Sequence, residues 1–163
     1  MRIVFILFLS MLLHSLVYAQ TGPGIAIYPT GTETGIGYRS AKDTRWALDA
    51  RITKTNISND AKTGSMVNEI SIVYRIMYLE KVRFHIGLGG RADWNFDVKE
   101  QHKYGIVTPV GVEAFPFPFQ NAGLFFEAAP FYTASHEGIW NGGLRTVAGF
   151  IFYIPKKTKH EKN

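Results

Sequence analysis

The chain of 163 residues contains no cysteine. That absence excludes a disulfide-stapled scaffold, a thiolate zinc site, a cysteine nucleophile and the acylated cysteine of a lipoprotein. Charge is also sparse, at 19% of residues, while hydrophobic residues reach 46%, a balance that argues against disorder. After the first twenty positions there is no long apolar run and no stretch with a 3.6-residue period, so neither a membrane-spanning helix nor an amphipathic one is expected. Aromatics make up 14% of residues and glycine supplies 16 of them, a profile that points to β-structure. The length suits one domain with a real core.

Residues 1–19 read as a secretory signal peptide. Arg2 gives a positive start, Ile3 to Leu13 is apolar apart from Ser10, and Val17-Tyr18-Ala19 fits the small-x-small cleavage pattern. The competing reading, an uncleaved anchor, would need roughly 20 apolar residues, and this run is shorter. The mature domain is expected over residues 20–155, followed by a basic tail at 156–163. Losing Arg2 lowers the formal net charge from +5 to +4. The tail carries Lys156, Lys157, Lys159 and Lys162 against Glu161, so the body itself is close to neutral. A basic excess confined to a short exported tail gives no reason to expect nucleic acid as a partner.

Alternation with period two recurs through the rest. Between Val82 and Phe96, Phe84, Ile86, Leu88, Ala92, Trp94 and Phe96 share one face, opposite Arg83, His85, Arg91 and Asp93. Ile70, Ile72, Tyr74, Ile76 and Tyr78 oppose Glu69, Ser71, Val73 and Arg75; Trp46, Leu48, Ala50 and Ile52 oppose Asp49, Arg51 and Thr53. Looser runs follow at Gly105–Phe115, Gly123–Tyr132 and Gly143–Tyr153. With a weaker opening pair, Gly24–Pro29 and Thr34–Ser40, these make eight strands, and six strands plus an N-terminal arm is the fallback. The 143 residues after Gln20 allow about 18 per strand and connector, against the roughly 9–11 that a membrane strand needs. Connectors at 41–44, 79–81 and 116–122 are short to medium, and those at 56–66, 97–104 and 133–142 are longer and more polar. The fold class expected is therefore all-β, a transmembrane antiparallel up-and-down barrel.

The polar residues decide which face is outward. Of ten lysines only Lys54 falls inside an expected strand, whereas Arg39, Arg45, Arg51, Arg75, Arg83, Arg91 and Arg145 lie in strands or at their ends. Arginine suits an enclosed polar lumen because its planar fork pairs bidentately with carboxylates. Arg39, Arg51, Arg75, Arg91 and Arg145 share their faces with Asp49, Glu69, Asp93, Glu113 and Glu127, a balanced set that forms the expected lumen charge network. Balance is needed because unpaired buried charge is prohibitive. At eight strands side chains just fill the interior, so the expectation is a plugged polar interior and an apolar exterior facing lipid. Trp46, Tyr78, Phe84, Trp94, Phe96, Tyr132 and Phe152 lie toward strand ends, as interfacial girdles require.

On these features the chain resembles the small eight-stranded outer-membrane β-barrels of Gram-negative bacteria. Gly105 to Glu113 and Leu124 to Pro130 are similar to strands of that family, and Gly149 to Tyr153 is similar to its aromatic-ended final strand. The resemblance implies outer-membrane lipid and the outer-membrane assembly machinery as partners. Two features depart from the pattern: Ile154-Pro155 and a basic tail follow the final aromatic, and Pro109 and Pro130 interrupt strands near their expected extracellular ends.

Candidate chemistry is thin. Ser135-His136-Glu137 has the residue types of a hydrolase, but neighbours on a strand point to opposite faces and no G-x-S-x-G elbow exists. His85 reads as a hydrogen-bonded interior histidine. No histidine or carboxylate spacing suggests a metal. Gly87-Leu88-Gly89-Gly90 opens no helix and is no phosphate loop, and Asn56-Ile57-Ser58 matches a sequon by chance. No cofactor is expected. The function expected is a non-enzymatic, porin-like barrel with a structural or surface-interaction role, its surface ligand unknown. The alternatives are a soluble exported lipocalin-like barrel binding an apolar ligand, with its faces reversed, and a lipid-modifying barrel enzyme.

Overall fold

The computed structural model describes residues 21–55, 65–95, 102–119, 121–135 and 138–155. The signal segment, the basic tail, Phe96, the sequon and His136-Glu137 lie outside the described residues. The strands are β1 (Thr21–Gly31), β2 (Glu33–Arg39), β3 (Trp46–Thr55), β4 (Ser65–Tyr78), β5 (Val82–Asn95), β6 (Lys103–Val107), β7 (Val110–Ala114), β8 (Ala122–Ser135) and β9 (Trp140–Pro155). Every pairing is antiparallel between neighbours, and β1 pairs with β9, Ile25 opposite Phe152, to close the sheet on itself.

The ring has eight staves, because β6 and β7 are halves of one. Both lie between β5 and β8, and the register does not slip between them. Val107 faces Gly89 and Val110 faces Ile86 on one side; Val107 faces Phe131 and Val110 faces Ala128 on the other. The gap is Thr108-Pro109. Proline has no N–H to give the ladder, yet its carbonyl still accepts from the Gly87 N–H at 2.7 Å, and the Thr108 N–H donates to Pro130 O at 2.9 Å. Pro109 is therefore in mid-stave and buried, not near an extracellular end as expected. It fits because Gly87 opposes it: a Cβ there would lie 2.9 Å from the proline Cγ.

Four further expectations need correction. The opening pair consists of full strands, so the six-strand fallback does not apply. The 133–142 connector is short: β8 runs to Ser135 and β9 begins at Trp140, with the Ser135 N–H donating to Ile139 O at 3.0 Å. Gly138 adopts φ +76°, a conformation natural to glycine. Lys103 opens β6, so Lys54 is not alone among strand lysines. A bulge in β4 between Arg75 and Met77 breaks the alternation, leaving Ile76, Met77 and Tyr78 all exposed. At the end of the chain β9 simply continues through Ile154-Pro155, Pro155 opposite Thr21.

β1 also slips by one residue against β9 between Ile27 and Thr30, where Pro29 and Thr30 are both exposed; over most of the other strands period two is kept, and it sorts chemistry between the faces. Asp49, Arg51, Thr53, Glu69 and Ser71 are buried, while Ile36, Ile52, Ile70, Leu88 and Ile106 each expose half or more of their surface. Large aliphatic side chains dominate the outside of the ring, and the charges lie within it beside a buried cluster that includes Tyr28, Phe125, Ile151 and Tyr153.

Candidate functional site: the charged interior

Strand register aligns the interior charges before side-chain geometry adds anything. Arg39 stands opposite Asp49; Arg51 opposite Glu69, and Glu69 in turn opposite Arg91; Arg75 stands opposite His85. The side chains then join across the lumen in three zones.

Toward the short-turn end, Arg39 Nε donates to Asp49 Oδ2 at 2.7 Å, and its other arm pairs with Glu113. Tyr153 OH donates to Glu113 Oε1 at 3.2 Å. Arg75 lies in the interior as expected, but its closest partners are not carboxylates. It donates to the carbonyls of Thr44 at 2.5 Å and Ala41 at 2.6 Å, with Glu113 more distant at 3.8 Å. The 40–45 turn is thereby tied inward: Ala41 is buried, Arg83 Nη1 donates to Lys42 O at 2.6 Å, and the Lys42 ammonium sits 4.4 Å above the Phe115 ring. Burial, with the nearby Arg83, pushes the Lys42 ammonium below its usual pKa.

At mid-height Glu127 is the hub. It accepts from Arg145 Nη2 at 2.5 Å, pairs with Arg51 Nη1 at 2.9 Å and bonds His85 Nε2 at 3.1 Å. Arg51 also reaches Asp49 at 2.7 Å, and Arg145 reaches Glu69 at 3.2 Å. Rings fill the space between charges: Phe125 lies under Arg39 at 4.8 Å and Tyr28 under Arg51 at 5.1 Å.

Toward the loop end Arg91 gathers three carboxylates, Glu33, Glu69 and Asp93, each at 2.7 Å. Thr53 Oγ1 donates to Glu33 at 2.7 Å, and Phe131 lies 4.1 Å beneath the Arg91 guanidinium.

Nine of the ten residues expected in the network are buried, Asp93 is not, and Glu33 is buried among them. The strand expected from Thr34 begins one residue earlier, at Glu33. The signal was present: Gly31, at φ +123°, makes the reversal tight enough for the strand to resume at Glu33, on the parity of Gly35, Gly37 and Arg39. The addition changes the balance. Asp93 sits at the rim with 19% of its side chain exposed, opposite Lys103 in register. The fully enclosed acids are Glu33, Asp49, Glu69, Glu113 and Glu127, which match the five enclosed arginines.

Chemically this arrangement pairs guanidinium with carboxylate. Ser135 Oγ accepts from the Ile139 N–H at 3.3 Å, the role of a turn cap. His102 Nδ1 accepts from the Asn95 N–H at 3.3 Å and packs on Trp94. Among the described residues no three His, Asp or Glu side chains form a metal-binding group, and no helix is long and apolar enough to cross a membrane. A carrier with reversed faces would need an apolar interior, and the described interior encloses five arginines and five carboxylates beside its buried rings. A hollow of about 530 Å³ lies instead on the outer face near Ala50, edged by Ile25, Ile36, Tyr38, Ile52 and Ile70.

The exterior ends in aromatics. Trp46 and Tyr74 pack at 4.7 Å near the short-turn end, where Tyr78, Phe84 and Phe152 are also exposed; Tyr132 stacks on Trp140 at 5.0 Å and Trp94 meets Tyr104 at 5.7 Å near the loop end.

No family model matches the chain, and no curated protein matches it. Among solved structures it is similar to the crystal structure of Ail, the attachment invasion locus protein of Yersinia pestis, at 16% identity and a TM-score of 0.37, over 81% of this chain and 97% of that one. The eight-stave ring stands on this chain's own strand pairing.

Proposed function

We propose that this protein is an outer-membrane β-barrel with a plugged polar lumen, non-enzymatic, and structural or surface-interacting in role. The observation that carries the reading is the polarity of the ring, with isoleucine, leucine and aromatic side chains exposed outside and ion pairs enclosed inside. In water such an exterior would be an aggregation-prone apolar patch far beyond the few hundred Å² that monomers ordinarily expose. In lipid it is the favourable face, and a closed ring leaves no backbone edge unpaired. Outer-membrane lipid and the outer-membrane assembly machinery are the corresponding partners, the latter engaging β9 as the final strand. Export by the segment at 1–19 delivers the chain to that compartment. Surface interaction would use the connectors at the loop end.

Two measurements on the unaltered protein test this. Cell fractionation should recover it with the outer membrane, released only by detergent, and the folded barrel should migrate differently on gels before and after heating. Recovery in a detergent-free periplasmic extract would overturn the proposal. For the enzymatic alternative, replacing Ser135 or His136 by alanine and finding outer-leaflet lipid unchanged would dismiss it.

A further inference from the structure

The three turns at the short-turn end differ sharply in character. The 40–45 turn carries Lys42, Asp43 and Arg45, and the 79–81 turn carries Glu80 and Lys81. The third, between β7 and β8, reads Phe-Pro-Phe-Pro-Phe-Gln-Asn over 115–121, and no charged residue occurs from Ala114 to Phe126. Its base is fixed on both sides: the Phe115 N–H donates to Lys81 O at 2.7 Å, and the Tyr153 N–H donates to Asn121 O at 2.7 Å. Phe115 itself is buried in the mouth against Tyr153. The next two phenylalanines are not. Phe117 and Phe119 stack nearly parallel at 5.4 Å, and Phe119 leaves 53% of its surface exposed. Phe117 is half-buried beneath it, and Pro116 and Pro118 fix φ on either side of Phe117, so the stacked pair has little conformational freedom left to lose.

A turn that stood in water would gain nothing from presenting Phe119 on top of a half-buried Phe117. The outward residues of the adjoining strands are of the same kind: Leu124, Phe126, Phe150 and Phe152 are all exposed, with Leu124 paired to Phe150 across β8 and β9. The apolar outer band thus continues past the strand ends into the turn with no charge to interrupt it, whereas at the 79–81 turn the exposed Leu79 is followed at once by Glu80 and Lys81. Aromatic rings favour the boundary between headgroups and acyl chains, and an apolar element there sits roughly 5–10 Å deep.

We infer that the Phe117–Phe119 turn is a lipid-binding surface, immersed in the periplasmic-leaflet interface while the two charged turns stand in water. This rests on the membrane reading above. It gives the barrel a preferred rotation in the bilayer, lower on the β7–β8 side than on the β3–β5 side.

The absence of cysteine makes a direct test available. Phe119→Cys, Lys81→Cys and Leu88→Cys, each in the full mature chain, are spin-labelled and inserted in phosphatidylcholine vesicles, with heat-shifted gel mobility as the check of folding. Collisional relaxation by oxygen and by a water-soluble nickel chelate then reads depth. The expected result is a severalfold higher oxygen-to-nickel ratio at 119 than at 81, approaching that at 88. Phe117→Cys provides a second reading of the same turn. A label at 119 as open to nickel as that at 81, with 88 in lipid, overturns this inference and leaves the membrane reading intact. A label at 119 shielded from both reagents also overturns it, since protein rather than lipid would then cover the turn. A label at 88 open to nickel overturns both readings.

Discussion

Glu127 is held between Arg145 at 2.5 Å and Arg51 at 2.9 Å, with His85 at 3.1 Å. Removing it would leave cations uncompensated in an enclosed site, a loss of about 3–5 kcal/mol by the experience of broken buried pairs. Glu127→Ala should therefore lower the denaturant midpoint of the folded barrel in micelles by that equivalent. Asp93 makes an equally short contact, 2.7 Å to Arg91, but its side chain is 19% exposed and Arg91 keeps Glu33 and Glu69. Asp93→Asn should cost under about 1 kcal/mol, as solvent-screened pairs do. Similar losses for the two variants would mean that enclosure does not govern the network. The difference between these acids was not legible in the sequence, where both occupy the inward parity of a strand. Depth along the barrel axis separates them, and depth follows from register.

At the scale of the element, Pro109 shows how little a strand needs in order to persist. The stave it interrupts keeps its register on both flanks and loses the hydrogen bond that Pro109 cannot donate toward β5 and the one that Pro130, opposite Thr108, cannot donate from β8. Replacing it by alanine restores an N–H facing Gly87, a gain of about 0.5–1.5 kcal/mol. Against this stands the added freedom of the unfolded chain, about 0.4–1 kcal/mol. Pro109→Ala should fold with stability changed by no more than about 1 kcal/mol, and the new amide at 109 should be protected in hydrogen exchange. Rapid exchange there would mean that the two half-strands are not one stave. Alternation located nearly every element, because one face meets charge and the other does not. It failed where its physical basis fails: at the β4 bulge, where an extra residue shifts the parity, and at the 133–142 connector, where polar residues sit inside strands that outlast their hydrophobic signal.

For the molecule as a whole, the issue is whether the interior conducts. Guanidinium–carboxylate pairs occupy its described length from Arg91 near the loop end to Arg39, and the 40–45 turn is tied inward by Arg75 and Arg83 at the other end. Under the proposed function, the protein in planar bilayers should give no stable open-pore current, and the double variant Arg75→Ala, Arg83→Ala should raise the frequency of transient current steps. Stable porin-like steps from the unaltered protein would contradict a plugged lumen. This device lay beyond sequence reasoning, since it depends on arginines from β4 and β5 reaching the carbonyls of a turn some thirty to forty positions earlier.

The sequence by itself determined the period, and with it the two faces, the inward arginines and acids and the aromatic strand ends. These are local properties, set by side chains that alternate across an extended backbone. Only the tertiary structure decided the closure of β1 on β9, the entry of Glu33 into the enclosed set, the displacement of Asp93 to the rim and the capture of the 40–45 turn by Arg75. Each of these depends on which residues register brings together across the ring, and a sum of ion pairs over a closed circuit cannot be read from any one strand.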